Sequence, residues 1–104
     1  MMRYVLIGKH NAHGMDRPIE RRDLARAMLE KLGVKRVFGT YVFGEWDFVD
    51  VVEAATPSAV LAFSVWYRLQ GFGTVVTMPA IDYDDMQKAT DAVTGAAGGI
   101  KAKT

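Results

Sequence analysis

The stretch VKRVFGTYVFGEWDFVDVVEAATPSAVLAFSVWYRLQGFGTVVTMPAID, Val34 to Asp82, sets out two strands, a helix and a third strand in that order. Val37 to Phe43 and Trp46 to Val52 are rich in β-branched and aromatic residues, and the Phe43-Gly44-Glu45 break between them is short enough for a hairpin. Thr56-Pro57 supplies an N-cap hydroxyl and a proline at the first helical position, so Pro57 to Gln70 reads as a helix. Gly71-Phe72-Gly73 ends that helix, and Thr74 to Ala80 is strand-like again.

Upstream, Arg3 to His10 reads as a strand with apolar residues on both faces, followed by a loop from Asn11 to Asp16. Leu24, Met28 and Leu32, with Ala25 and Leu29, recur at helical spacing over Ile19 to Leu32, and Gly33 stands just past the helix end. The helix from Pro57 differs from this one, because Val60, Leu61, Phe63, Val65, Trp66, Tyr67 and Leu69 spread apolar groups around most of its circumference. Such a helix is buried on more than one side, which leaves Trp66 or Tyr67 to meet a partner, a ligand or the C-terminal segment. Downstream, Asp82 caps a short third helix running through Val93. The reading is therefore one domain over residues 1–93 and a flexible tail over residues 94–104, which contains Gly95, Gly98 and Gly99.

The order β-α-β-β-α-β is the ferredoxin-like α+β arrangement, an antiparallel sheet in spatial order 4-1-3-2 with both helices on one face. The strand from Trp46 carries bulky apolar groups on both of its faces. The expectation is that Trp46, Phe48 and Val52, with Tyr4 and Leu6, form the face turned away from the helices. An exposed apolar face of several hundred Å² exceeds what monomers normally tolerate, so a two-fold homodimer with facing sheets is expected.

Composition narrows the function classes. A chain of 104 residues, half of them hydrophobic, holds one core. Its formal charge is +1 and its basic residues interleave with acidic ones, as in Glu20-Arg21-Arg22-Asp23, so nucleic acid is not an expected partner. There is no cysteine, which excludes thiolate-ligated metals and a cysteine nucleophile and suits a cytoplasmic setting. The apolar run from Ala59 to Tyr67 is about half the length needed to span a bilayer, so no membrane association is expected.

Gly44-Glu45-Trp46-Asp47, continued by Phe48-Val49-Asp50-Val51-Val52-Glu53-Ala54, resembles the Gly-x-Tyr-Asp signature and following strand of the GYD-domain family. Gly73-Thr74-Val75-Val76-Thr77-Met78-Pro79-Ala80 is similar to that family's last strand, and Trp46 stands where the family usually has tyrosine. The resemblance implies membership of the dimeric α+β-barrel group, in which two sheets pack face to face around a cavity. That group spans monooxygenases, isomerases, haem-degrading enzymes and effector-binding domains of regulators, so it implies an architecture and no single reaction.

In this topology the end of the first strand, the central hairpin and the start of the last strand share one edge, which gathers His10, Tyr41, Glu45, Trp46 and Gly71-Phe72-Gly73. Asp50 is the candidate acid or base, because a carboxylate among apolar neighbours is costly to bury and burial raises its pKa. His10 is the second candidate catalytic group. Tyr41, Trp46, Phe48 and Trp66 are the candidate ligand-binding residues, since aromatic walls dominate small-molecule sites. Asp47 reads as structural, accepting backbone hydrogen bonds at the hairpin. His10 and His13, spaced H-x-x-H on a loop, are read as loop residues and not as metal ligands, and no cofactor is expected. The leading function is a homodimer that binds a small apolar or aromatic molecule between its sheets. The alternatives are a cofactor-independent oxygenase or isomerase and an accessory subunit of a larger complex.

Overall fold

The computed structural model describes residues 1–96. Four strands, β1 (Met2–His10), β2 (Lys35–Tyr41), β3 (Phe48–Ala54) and β4 (Gly73–Ala80), form one antiparallel sheet in the order β2-β3-β1-β4. The helices are α1 (Ala12–Asp16), α2 (Pro18–Lys31), α3 (Pro57–Leu69) and α4 (Tyr83–Ala96). Helices α2 and α3 lie on one face of the sheet, which is the ferredoxin-like α+β fold.

Local chemistry sets the helix ends. Thr56 accepts from the Ala59 amide at 3.4 Å with Pro57 at the first helical position, and Asp82 accepts from the Asp85 amide at 2.9 Å. Past α2 the chain turns at Gly33, whose φ of 71° lies in the left-handed region that favours glycine. Asn11 caps α1 by accepting from the Gly14 amide at 2.9 Å, so the expected loop from Asn11 to Asp16 is a short helix. A capping asparagine before Ala12-His13 is the local signal for that turn of helix.

The strand pairs fix which residues share a face. Tyr4, Leu6 and Gly8 on β1 stand opposite Val52, Asp50 and Phe48 on β3, and Leu6 and Gly8 stand opposite Thr77 and Val75 on β4. Tyr4, Leu6, Phe48, Val52 and Val75 join Leu29, Val60, Phe63, Tyr67 and Phe72 in the buried core, so this is the face under the helices. The expectation of an outward face built from Tyr4, Leu6, Phe48 and Val52 is thereby corrected. The uncovered face carries Val5, Ile7, Val49, Val51, Val76 and Met78. Both faces of β3 are apolar, so alternation alone does not choose between them. On β1 and at the start of β3 the aromatic side chains, Tyr4 and Phe48, fall on the helix side and fill the space between sheet and helices.

Three boundaries also move. β2 and β3 sit two residues from their expected spans, so the link between them is the six-residue segment 42–47, closed by Val42 donating to the Asp47 carbonyl at 3.0 Å. Trp46 belongs to this link and not to the strand. Helix α4 continues to Ala96 beyond the expected end at Val93; of the expected tail over residues 94–104, residues 97–104 lie outside the described residues. Every residue from Tyr83 to Gly95 is exposed, including Met86 and Val93.

Candidate functional site

Helix α2 covers the β1-β3-β2 side of the sheet, and a cavity of about 240 Å³ opens between them. The α2 residues that reach it, Arg22, Ala25, Arg26 and Leu29, follow the i, i+3, i+4, i+7 spacing of one helix face, and Arg21 joins them from the adjoining flank. The floor is Phe48, Asp50, Gly39, Tyr41 and Arg36 from β2 and β3, closed at one end by His10 and at the back by Phe63 and Tyr67 of α3.

Aromatic rings form the back wall. His10 stacks on Phe48 at a centroid separation of 5.2 Å and on Tyr67 at 6.1 Å, while Tyr67 meets Phe63 at 5.9 Å. Phe48 can lie flat over β1 because its cross-strand neighbour is Gly8, where a Cβ would overlap the ring. The Asp47 carboxylate accepts the His10 amide at 2.6 Å, as the reading of Asp47 as structural expects. Burial and the neighbouring Arg21 guanidinium hold the His10 imidazole below its ordinary pKa, with Asp47 pulling the other way. At neutral pH the ring is an uncharged donor–acceptor.

Asp50 projects from the centre of the floor over Gly39, where a Cβ would come 2.5 Å from Asp50 Oδ1 and 3.2 Å from Arg36 Nη1. Burial pushes the Asp50 carboxyl above its usual value, and Arg36 opposes that shift. Its cationic neighbour is Arg36, which stands opposite the core residue Val52 at the edge of the bulge between Arg36 and Phe38. Arg3 pairs with Glu53 at 3.0 Å. Burial also pushes the Tyr67 hydroxyl well above the ordinary tyrosine value, so the phenol keeps its proton and acts as a donor.

Of the residues singled out from sequence, His10, Tyr41, Phe48 and Asp50 meet at this cavity, with Tyr41 two-thirds exposed at its mouth. Trp46 and Trp66 do not line it. Trp66 is half-buried against Phe63 and Phe72 at 5.7 and 6.1 Å, and Trp46 lies half-buried in the link before β3. His13 stacks on Phe72 at 5.6 Å, and its Nδ1 lies 2.6 Å from Arg17 Nη1. Among the described residues, no three of His, Cys, Asp and Glu come together as a metal-binding group. No helix there is long and apolar enough to cross a membrane.

In the sequence the arginines are hidden, because they stand in a charge run interleaved with acidic residues. Their signal was present in helical spacing: Arg22 and Arg26 share a face with Ala25 and Leu29, while Glu20, Asp23 and Glu30 fall outside the cavity wall.

A family model described as GYD domain matches residues 4–90. A crystal structure of FFRP-DM1 superposes with a TM-score of 0.52 over 78% of this chain and 100% of that chain, at 19% sequence identity, a likeness of fold. No curated protein matches the sequence.

Proposed function

The chain belongs to the GYD-domain family, and from that premise we propose that it is a homodimeric binding protein whose cavity between α2 and the sheet holds a small, mostly aromatic molecule. The observation that carries this reading is the cavity itself, about 240 Å³ and walled by Leu29, Phe48, Phe63 and Tyr67. A cavity of about 150 Å³ accommodates benzene, so this one has room for a single ring with one or two substituents. The ligand site is placed within one chain, beneath α2, in place of the space between two sheets that the sequence suggested.

Dimerisation is supported by a separate surface. Val5, Ile7, Val49, Val51, Val76 and Met78 make a valine-rich face on the side of the sheet away from α2 and α3, and α4 offers Met86 and Val93 to solvent. A second copy applied to the sheet face would bury it. Short β-branched side chains let two sheets approach closely.

Native mass spectrometry of protein purified from its own host, followed by denaturing extraction, tests the binding reading. A mass excess released on denaturation as an aromatic compound supports it. Protein that carries nothing and takes up no single-ring compound at millimolar concentration defeats it.

A second reading, cofactor-independent acid–base catalysis on an activated ring or enol, is favoured by one specific observation: Asp50 and His10, both with displaced pKa values, line the same cavity. Titration of both residues by NMR separates the readings. Ordinary values for the pair leave no poised base and remove the catalytic reading.

A further inference from the structure

The unusual feature of this cavity is its charge. The chain as a whole carries a formal charge of +1, yet four arginines, Arg21, Arg22, Arg26 and Arg36, line the cavity against the single acidic residue Asp50. Arg22 reaches Asp23 at 3.3 Å on the outer surface, whereas Arg21, Arg26 and Arg36 form no ion pair among the described residues.

Arg21 stands out among them. It is 6% exposed, the one charged residue in the buried class among those described. One nitrogen, Nη1, donates to the Gly14 carbonyl of α1, and no other hydrogen bond from this guanidinium is formed within the described residues. A guanidinium has five N–H donors in a planar fork and cannot shed its proton. Taking such a group largely out of water without a counter-charge is costly, and buried charges are as a rule paired. The Gly14 bond occupies one end of the fork, and its other nitrogens, which form no bond, are not sealed off from the accessible space that Arg21 lines.

The surroundings specify the partner further. His10 and Tyr67, whose rings stack at 6.1 Å, are the groups that feel the Arg21 charge most directly, so an aromatic wall adjoins the guanidinium. Phe48 and Phe63 extend that wall, and the space is limited to about 240 Å³. Tyr67, 2% exposed, places its hydroxyl there with no hydrogen-bond partner among the described residues.

We propose that the cavity is a site for monocyclic aromatic carboxylates, with Arg21 as the anchor for the carboxylate and Phe48, Phe63 and Tyr67 as the walls for the ring. This rests on the binding reading above and adds the ligand's charge and its anchor. Planar bidentate pairing is the interaction that a guanidinium makes best with a carboxylate, and the neutral imidazole and phenol beside it add donors without adding positive charge. The ring lies on the apolar side, where stacking is worth more than solvation. Asp50 sits across the floor beside Arg36 and forms no ion pair with Arg21.

Calorimetric titration of the intact protein with benzoate and with benzamide, its neutral isostere, tests the charge, and benzoate should bind at least tenfold more tightly. Guanidinium NMR signals of Arg21 should shift with benzoate and stay in place with benzamide. Arg21→Gln should bring the two ligands within about twofold of each other, its fold checked by circular dichroism. Should that variant unfold, the wild-type preference and the Arg21 signals decide alone. Equal binding of benzoate and benzamide overturns the carboxylate assignment and leaves the aromatic cavity standing. Failure of both to bind overturns both readings. Displacement of benzoate by equimolar inorganic phosphate would show a general anion site and also overturn the proposal.

Discussion

The Asp47 carboxylate accepts the His10 backbone amide at 2.6 Å, joining the link before β3 to the last residue of β1 across 37 positions of chain. The Asp47 amide in turn donates to the Gly8 carbonyl at 2.8 Å, so one residue extends the β1-β3 pairing past its regular end and sets the edge where His10 enters the cavity. Hydrogen bonds to an ionised group contribute about 1.5–3 kcal/mol. Asp47→Ala should lower the stability by about 2 kcal/mol, read as a reduced urea midpoint with an unchanged m-value. A midpoint equal to that of the wild type would mean that the link is held by other contacts.

Gly8 and Phe48 are a matched pair, since the ring occupies the volume that a β1 side chain would fill. Gly8→Ala should cost about 1–3 kcal/mol by overpacking. Adding Phe48→Leu should recover part of that loss, and the resulting coupling is measured by a double-mutant cycle. Strict additivity would show that the two side chains do not share the space.

The Asp50 carboxyl has a folded-state pKa above 3.8, its ordinary value. Its contribution to stability is therefore greatest below about pH 3.8 and is lost as pH rises through the folded value, because ionisation is disfavoured in the cavity. Asp50→Asn should be more stable than the wild type at pH 7, with the difference closing on acidification. Chemical denaturation of both proteins at several pH values reads this directly. A variant less stable than the wild type at pH 7 would show that Arg36 outweighs burial.

His10 runs the other way. Its folded pKa lies below 6.5, so its contribution is present above pH 6.5 and is lost as pH falls through the folded value, when the unfolded chain takes up the proton first. Arg21 and Asp47 are the charged groups that bear on it, the first reinforcing the shift and the second opposing it. His10→Gln should flatten the acid-side slope of stability below pH 6.5. An unchanged slope would place the acid sensitivity elsewhere.

The two faces of β3 make opposite predictions for substitution. Phe48 is 8% exposed beneath the helices, so Phe48→Asp should unfold the chain. Val51 is on the uncovered face, so Val51→Asp should leave a folded monomer and weaken the proposed dimer by about a hundredfold, the cost of about 3 kcal/mol for burying unpaired charge. Sedimentation with circular dichroism distinguishes the outcomes. A wild type that sediments as a compact monomer at micromolar concentration contradicts the dimer.

The element order, the helix caps and the strand arrangement were legible because each rests on short-range chemistry: Thr56-Pro57 starts α3, Gly33 and Gly71 end helices, and β-branched runs make the strands. The phase of the sheet was not, because Phe48 and Val49 are both apolar and a two-residue period has no sign when both faces are hydrophobic. His10, Tyr41, Phe48 and Asp50 were picked out for their types and meet at one place, whereas Trp46 and Trp66 were picked out for their types and do not. The cationic side of the cavity depends on α2 lying across β2 and β3, a long-range fact that no local pattern announces. Arg21 in particular is adjacent in sequence to Glu20 and Arg22, and only the fold separates a buried guanidinium from its exposed neighbours.

The central claim is that the functional cavity lies within one chain, beneath α2. Isotope-filtered NOE spectra of labelled protein with an unlabelled aromatic ligand locate the ring without reference to affinity. The account predicts contacts from the ring protons to the Leu29 methyls and to Phe63. Contacts to Val49 or Val51 on the opposite face of the sheet, in place of these, would contradict it.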